Sequence, residues 1–286
     1  MNLFYGTANF QEGYGALKSK ISLHQITEIL NFLKKKRIFN LDTAITYKRN
    51  ESNDLINYKK FKIFSKLKKI PRTIENKRDL KIFIYNEISK ELKKYKIKKL
   101  YGYYIHDIND LNKHGKNLNL IFNELKKEQK IKFCGISFYN IEKEFKYLSV
   151  FKPDIIQLPF NFLTYNKNII LKLKKIRKQK IKILARSIFL QGLILKKSQY
   201  LPSKLTEFRK ALFEIEQHGY SSIEKKILLT INVIKQSKVF DGIIFSCNNL
   251  NELKNFSRLF KKKIYYDLNF LRKIKIDFKS IDPRKW

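Results

Sequence analysis

Eight short apolar segments alternate with segments of helical spacing along the 286-residue chain, and this alternation constrains the fold more than any other feature. Several of these segments are apolar throughout, as expected for strands buried on both faces of a parallel sheet. The predicted strands are residues 3–7, 38–44, 61–67, 99–105, 131–137, 154–160, 181–187 and 240–246. Eight strand–helix units in a chain of this length predict an α/β fold, a (β/α)8 TIM barrel.

The segments between the strands carry helical signals. Ser22 precedes apolar residues at Ile26, Ile29, Leu30 and Leu33, which predicts a capped amphipathic helix. Further helices are predicted at about 52–58, from Asp79 onward, and at about 117–130, 141–151, 167–179, 203–217, 221–237 and 250–261. Residues 188–202 are predicted to form a long loop after strand seven, and 264–286 an extended basic tail.

A doubly wound open sheet is the alternative α/β architecture. Its dinucleotide-binding form carries G-x-G-x-x-G at the first strand–helix turn, and this sequence has no such motif there. The chain also has no fixed-period repeat and no clear linker. We therefore expect one barrel domain over residues 1–286.

The chain has a formal net charge of +37, which by itself would favour a nucleic-acid or anionic-lipid partner. The lysines are spread along the whole chain, however, and their clusters fall at the polar ends of predicted helices, as at 34–36 and 261–263. This pattern indicates solvated faces, so no nucleic-acid partner is expected. The positive electrostatic potential of so many lysines would still attract an anionic substrate or cofactor.

No apolar run approaches the roughly 20 residues of a membrane span, and no secretory segment is recognised. Cys134 and Cys247 both fall in apolar strand-like runs, which indicates buried free thiols. Neither cysteine has the His or Cys spacing of a zinc site. A cytoplasmic protein without a bound metal is the expectation.

Three consecutive predicted strands carry an ionisable residue near or just past their carboxyl end: Asp42, Lys66 and His106. Tyr47 follows Asp42 after a short turn. Because the carboxyl ends of barrel strands share one rim, these four side chains should converge there. Each has a structural explanation when taken alone, since Asp42 could cap a turn and His106 could be a core histidine. Their joint placement at three successive strand ends is harder to explain by chance.

Together these residues have the chemistry of carbonyl reduction. A tyrosine can protonate the developing alkoxide if a nearby cation favours its phenolate and lowers its pKa from about 10. This assigns Tyr47 as general acid, Lys66 as its cation, Asp42 as the partner of the lysine, and His106 as the donor that orients the carbonyl.

The same residues belong to an ordered set of motifs that covers nearly the whole chain and resembles the aldo/keto reductase superfamily. The motifs are Gly6-Thr7-Ala8-Asn9-Phe10 with Tyr14-Gly15, Asp42-Thr43-Ala44-x-x-Tyr47, Ser65-Lys66, His106, Gly135-Ile136-Ser137 and Gln157-Leu158-Pro159-Phe160-Asn161. The run 185–193 and the Asp-Pro-Arg-Lys-Trp ending are similar to a bacterial subgroup associated with surface polysaccharides.

The resemblance implies a nicotinamide dinucleotide bound over the barrel mouth, with NADP(H) favoured and NAD(H) the alternative. It implies that Ser137 and Gln157 hold the carboxamide and that Gly6 and Thr7 lie near the adjoining ribose. Arg186 and Ser187 would lie by the nicotinamide ring and pyrophosphate. Ser246, Cys247 and Asn248 would lie by the adenosine phosphate, where Lys254 or Arg258 could supply charge.

Three residues depart from the family pattern: Lys48 replaces a glycine after the tyrosine, Phe138 replaces an asparagine beside Ser137, and Arg186 replaces a ring-stacking aromatic. Phe10, Tyr14, Phe162 and the 188–202 loop are expected to line the pocket. The predicted function is an NAD(P)H-dependent oxidoreductase that reduces an aldehyde or ketone, with a sugar derivative as one candidate substrate. The alternative is a catalytically weak cofactor-binding barrel that acts as a sensor or partner subunit. The sequence does not indicate an oligomeric state.

Overall fold

The computed structural model describes residues 1–11, 13–15, 21–47 and 57–282, and within them eight parallel strands form a closed barrel in chain order. The strands are β1 Asn2–Gly6, β2 Asn40–Asp42, β3 Lys62–Leu67, β4 Leu100–Ile105, β5 Ile131–Ser137, β6 Ile155–Pro159, β7 Lys182–Arg186 and β8 Gly242–Phe245. Pairing of β1 with β8 closes the barrel. The predicted (β/α)8 architecture is confirmed.

The helices surround the barrel. They are α1 Leu23–Lys35, α2 Lys77–Tyr95, α3 Asp110–Lys127, α4 Ile141–Glu144, α5 Lys167–Lys178, α6 Thr206–Gln217, α7 Ile223–Ser237 and α8 Leu250–Lys261. Ser22 caps α1 as predicted, and its hydroxyl accepts from the Gln25 backbone N–H in a reciprocal capping box. The helix predicted near 52–58 falls mostly outside the described residues, as do Lys48 and residues 283–286.

The predicted start of one helix was wrong. Helix α3 begins at Asp110 rather than at about 117, because its first turns bury Leu111 and His114 although they contain the poor helix formers Asn112 and Gly115. His114 is therefore a buried polar residue of this helix.

The tail is not extended throughout as predicted. It contains short 3₁₀ helices at Asn269–Arg272 and Phe278–Ile281. Leu271 and Ile281 of these helices are buried in the core, which explains why the tail folds against the barrel.

The barrel interior is packed with large side chains and is not an open channel. The inward-facing core is formed by Phe4, Phe64, Tyr104, Ile155, Leu184 and Ile244. Gly102 makes room for this packing, since a Cβ there would lie 2.3 Å from the Phe64 ring. With the interior filled, the polar side chains near the strand carboxyl ends are left to line the mouth of the barrel.

Cys134 and Cys247 are buried free thiols, as predicted. Among the described helices, none has the length and apolar character needed to cross a membrane.

Candidate active site

A cavity of about 600 Å³ opens at the carboxyl rim of the barrel. It is lined by all four residues of the predicted catalytic group: Asp42, Tyr47, Lys66 and His106. Most of the predicted cofactor residues also line it, namely Gly6, Ser137, Gln157, Arg186, Ser187, Ser246 and Asn248. Thr7 does not line it, and its hydroxyl donates to the hydroxyl of Thr43 instead.

Lys66 is the centre of the catalytic group. Its Nζ donates to Asp42 Oδ1 at 2.5 Å and to the Thr43 carbonyl oxygen at 2.9 Å, and it lies 3.5 Å from the Tyr47 hydroxyl. The lysine side chain is only 3% exposed, so its charge is poorly solvated and depends on these partners. The strand ends of β2 and β3 impose this arrangement, because Asp42 pairs with Phe64 in the register that places Lys66 beyond it.

Asp42 is held from a second side. Its Oδ2 accepts from Gln157 Nε2 at 3.0 Å, which joins β6 to the catalytic group across the barrel. Gln157 is itself aligned with Ser137 in the β5–β6 register. Two buried atoms here, Ser137 Oγ and Gln157 Oε1, have no hydrogen-bond partner within the described part of the chain. An unpartnered hydroxyl can donate a hydrogen bond and an unpartnered amide oxygen can accept one, so both atoms could bind a polar ligand in the cavity.

Tyr139, just after β5, is a site residue that the sequence analysis missed. Its hydroxyl lies 3.2 Å from His106 Nε2, and the two rings stack at 6.3 Å between centroids. The sequence signal was present, since Tyr139 directly follows the Gly-Ile-Ser-Phe segment at the end of a predicted strand. Nothing in the local pattern shows that its ring turns toward His106.

Arg186, at the end of β7, places its guanidinium over the ring of Tyr139. The guanidinium carbon lies 4.5 Å from the centre of the Tyr139 ring. Its Nη2 donates to the Phe138 carbonyl oxygen at 2.9 Å and its Nη1 to Ser187 Oγ at 3.2 Å. The side chain of Phe138 is buried.

The segment after β7 forms one wall of the cavity through residues 187–192, Leu195 and Lys196. Three non-glycine residues of this wall have left-handed backbone: Ser187 at φ 51°, Leu190 at 45° and Gln191 at 57°. Such conformations cost energy and persist where surrounding contacts impose them. The predicted long loop thus contains short 3₁₀ turns with a defined path.

Tyr14 lines the cavity as predicted, whereas Phe10 and Phe162 are packed in the core. Burial raises the pKa of Tyr14 to about 12, with a further contribution from nearby Tyr47. Tyr14 therefore carries a hydroxyl that stays protonated at neutral pH.

Asn248 and Ser246 mark the far end of the cavity, near the start of α8. A charged side chain next to Asn248 in the cavity lining is Glu252, whose Oε2 accepts from the Asn248 backbone N–H at 2.8 Å. Arg258 instead pairs with Glu224 and does not line the cavity, and Lys254 does not line it either. Among the described residues, no group of three or more His, Cys, Asp or Glu has the arrangement of a metal site.

Residues 2–263 match the model of the aldo/keto reductase family. This chain belongs to the aldo/keto reductase family. The reductase is therefore an NAD(P)-dependent oxidoreductase that acts on small-molecule carbonyl compounds and their alcohols. No curated protein sequence matches it.

Solved structures of other family members share its fold. An aldo-keto reductase from Bacillus halodurans, in its holo form, is 15% identical, with a TM-score of 0.72 over 96% of this chain and 91% of that one. A glycerol dehydrogenase from Gluconobacter oxydans is 14% identical, with a TM-score of 0.65 over 95% of this chain and 89% of that one. At these identities the likeness concerns the fold alone.

Proposed function

We propose that the reductase converts an aldehyde or ketone to an alcohol with Tyr47 as the general acid. The observation that carries this proposal is the chain of contacts Asp42–Lys66–Tyr47 at the cavity wall. A cation 3.5 Å from a phenol oxygen favours the phenolate, so the phenol gives up its proton more readily as the alkoxide develops. The carboxylate of Asp42 compensates the buried ammonium group of Lys66 and fixes its position.

The residues around Ser137 support a nicotinamide dinucleotide as cofactor. The Gln157 amide oxygen can accept from a carboxamide N–H, and the Ser137 hydroxyl can donate to its oxygen, which would satisfy both buried atoms. When bound, a reduced nicotinamide supplies the hydride. Arg186 lines the same cavity and makes no ion pair with any residue that the structure describes, so its charge suits a pyrophosphate.

The charges at the Asn248 end favour NADH at least as much as NADPH. A 2′-phosphate placed there would meet the carboxylate of Glu252, and Arg258 is already paired with Glu224. Like charges disfavour each other, so the carboxylate should weaken NADPH binding more than NADH binding. Titration of each nucleotide against the parent and the Glu252→Gln variant tests this. Glu252→Gln should tighten NADPH binding and leave NADH nearly unchanged, and equal effects on both would contradict the assignment.

The cavity favours a hydroxylated substrate such as a sugar derivative. The phenols of Tyr14 and Tyr139 and the imidazole of His106 line it together with apolar side chains such as Ile188 and Phe189. Aromatic faces with hydrogen-bonding edges suit a carbonyl compound that carries hydroxyl groups. A panel of aldoses, keto-sugars and simple aldehydes compared by kcat/KM measures this preference.

The Tyr47→Phe variant tests the general acid. It should bind the dinucleotide as tightly as the parent and reduce carbonyls about a hundredfold to ten-thousandfold more slowly, because only the proton donor is lost. Reduction at the parental rate would overturn the role of Tyr47. The alternative function is a sensor or partner subunit, and it is motivated by the altered residues Phe138 and Arg186. It would be favoured if the parent protein bound the dinucleotide tightly but reduced no carbonyl in a broad panel.

A further inference from the structure

Tyr139 places a second hydroxyl at the mouth of the barrel, beside the histidine that was expected to orient the substrate. The Tyr139 hydroxyl oxygen and His106 Nε2 are 3.2 Å apart, and their rings are 23° from parallel. Both residues line the same cavity as Tyr47. A substrate carbonyl at Tyr47 therefore lies in a cavity that also offers the phenol of Tyr139 and the imidazole of His106.

Tyr139 is held in this position from several sides. Its backbone N–H donates to Glu144 Oε2 at 2.8 Å, and Arg186 lies over its ring at 4.5 Å. Arg186 is fixed in turn by its hydrogen bond to the Phe138 carbonyl oxygen. A ring that contacts both an imidazole and a guanidinium loses little conformational freedom when a substrate binds, as a preorganised donor requires.

Counting hydrogens shows which arrangement can serve the reaction. A phenol has one proton to donate, and a neutral imidazole has one. If Tyr139 donates to His106 Nε2, the bonded pair presents only lone pairs at that point of the cavity. If Nε2–H donates to the Tyr139 oxygen, the phenol keeps its own proton for an acceptor in the cavity. A carbonyl oxygen is an acceptor with two lone pairs, so it can take one hydrogen bond from Tyr47 and another from this pair.

We infer that the Tyr139 hydroxyl is the second hydrogen-bond donor to the substrate carbonyl, and that His106 acts through it as a positioning residue. This inference rests on the proposed function. The order of contacts is His106 Nε2–H to Tyr139 oxygen, and Tyr139 O–H to the carbonyl oxygen. The guanidinium of Arg186 over the Tyr139 ring attracts its π electrons and makes the hydroxyl a stronger donor. The sequence expectation of a direct His106 contact is refined accordingly.

The Tyr139→Phe variant removes this donor and keeps the ring. Its kcat and kcat/KM should fall together, on the order of a hundredfold, because the hydrogen bond strengthens as charge develops on the carbonyl oxygen. Its dinucleotide affinity should match that of the parent. The control is Tyr265→Phe, which removes a hydroxyl from a residue that is 85% exposed and away from the cavity. Parental kcat/KM in Tyr139→Phe would overturn the inference.

A double-mutant cycle tests whether His106 acts through Tyr139. His106→Phe and Tyr139→Phe should each lower kcat/KM, and the double variant should be little slower than the slower single variant. Losses that multiply would show independent action and contradict the positioning role.

Nitrogen-15 NMR of the imidazoles gives a readout that does not need turnover. With His106 assigned by comparison with the His106→Phe protein, its proton should reside on Nε2, and the Nε2 signal should shift in Tyr139→Phe but not in Tyr265→Phe. An unshifted signal would overturn the hydrogen bond. If Tyr47→Phe lost reduction while Tyr139→Phe stayed fully active, only the inference about Tyr139 would be rejected. If the parent protein reduced no carbonyl, the proposed function would be rejected, and the NMR experiment would still test the hydrogen bond between His106 and Tyr139.

Discussion

Two buried lysines in this protein have almost the same environment but occupy different places in the fold. Lys66 and Lys226 are 3% and 0% exposed, and each donates to a carboxylate, Asp42 at 2.5 Å and Glu216 at 2.7 Å. Each also donates to a backbone carbonyl oxygen, that of Thr43 at 2.9 Å and that of Lys196 at 2.6 Å. Lys66 lines the cavity, whereas Lys226 is sealed behind the segment that forms its wall.

The difference lies in what each pair touches next. Lys66 reaches Tyr47, so its charge acts on a group that can react. Lys226 reaches the backbone of Lys196, while Glu216 accepts from the Ser198 backbone N–H at 2.9 Å and hydroxyl at 2.6 Å. The second pair therefore fixes the path of the segment after β7, which includes the left-handed residues of the wall. The two lysine–carboxylate pairs thus have different roles. The pair of Lys66 lies beside a group that can react, whereas the pair of Lys226 stabilises the wall of the cavity.

In the pair of Lys226 with Glu216, burial and hydrogen bonding have opposite effects on the pKa of each residue. Burial lowers the pKa of Lys226, and the pair with Glu216 opposes this. For Glu216, burial acts to raise the pKa, but hydrogen bonds from Lys226 and Ser198 outweigh it and lower the pKa. Both partners thus depend on each other to remain charged.

The largest expected effect is on catalysis in Lys66→Met. Carbonyl reduction should fall about a hundredfold to ten-thousandfold, because Tyr47 loses the cation that favours its phenolate. Stability should change less than in Lys226→Met, since Asp42 keeps its hydrogen bond from Gln157 and opens to the cavity. Steady-state kinetics measure the rate of reduction, and thermal unfolding measures the stability. If Lys66→Met reduced carbonyls within a few-fold of the parental rate, Lys66 would have only a structural role, like Lys226.

Next in size is the loss of stability in Lys226→Met. Removing one partner of a buried pair leaves Glu216 charged and poorly solvated, which should lower the free energy of unfolding by about 3–5 kcal/mol. The turnover of the protein that remains folded should stay within a few-fold of the parent, because no reacting atom is touched. Urea unfolding and kcat on the same samples separate these effects.

The neighbouring Lys225→Met serves as a matched control, since Lys225 is exposed on the same helix. The double variant Lys226→Met/Glu216→Gln should recover part of the stability, because the unpaired charge is gone while Ser198 keeps an acceptor. A double variant less stable than Lys226→Met would contradict the ion-pair explanation.

The smallest expected effect is the change in the free energy of unfolding per unit of pH that is due to Glu91. This residue is a buried carboxyl of α2 that makes no ion pair with any described residue. Burial raises the pKa of Glu91 from 4.5 to about 8. Between these values the folded chain binds a proton that the unfolded chain has released, so stability should fall as pH rises from about 4.5 to about 8. The slope is at most about 1.4 kcal/mol per pH unit.

Glu91→Gln should remove this contribution to the slope, and Glu75→Gln, at an exposed carboxyl, should retain it. The free energy of unfolding in urea at pH 5, 6.5 and 8 provides the measurement. Parallel pH dependences in the parent and Glu91→Gln would show that Glu91 is already paired, as Asp42 and Glu216 are.

Much of the fold was predictable because its signals are local. The apolar run 131–137 became β5 with the same bounds, and Ser22 capped α1 because the cap and the first apolar turn are neighbours in sequence. The start of α3 was missed because Asn112 and Gly115 disfavour a helix locally, and burial of Leu111 and His114 overrides this preference.

The sequence predicted some of the site residues correctly and others not, again according to whether their position depends on local signals. Asp42, Lys66 and His106 were predicted to meet because strand direction alone brings strand ends to one rim. Phe10 and Phe162 were wrongly expected to line the pocket, since an apolar residue next to a strand end can turn toward the cavity or toward the core. Only packing distinguishes the two.

By itself, the sequence determined the barrel, its order of strands and the rim on which its ionisable residues lie, because periodicity and strand direction are properties of short segments. The tertiary structure decided that Tyr139 contacts both His106 and Arg186, and that Lys226 pairs with Glu216 behind the cavity wall. These contacts join side chains from different elements across loops. Their geometry follows from how the elements pack, which no local pattern specifies.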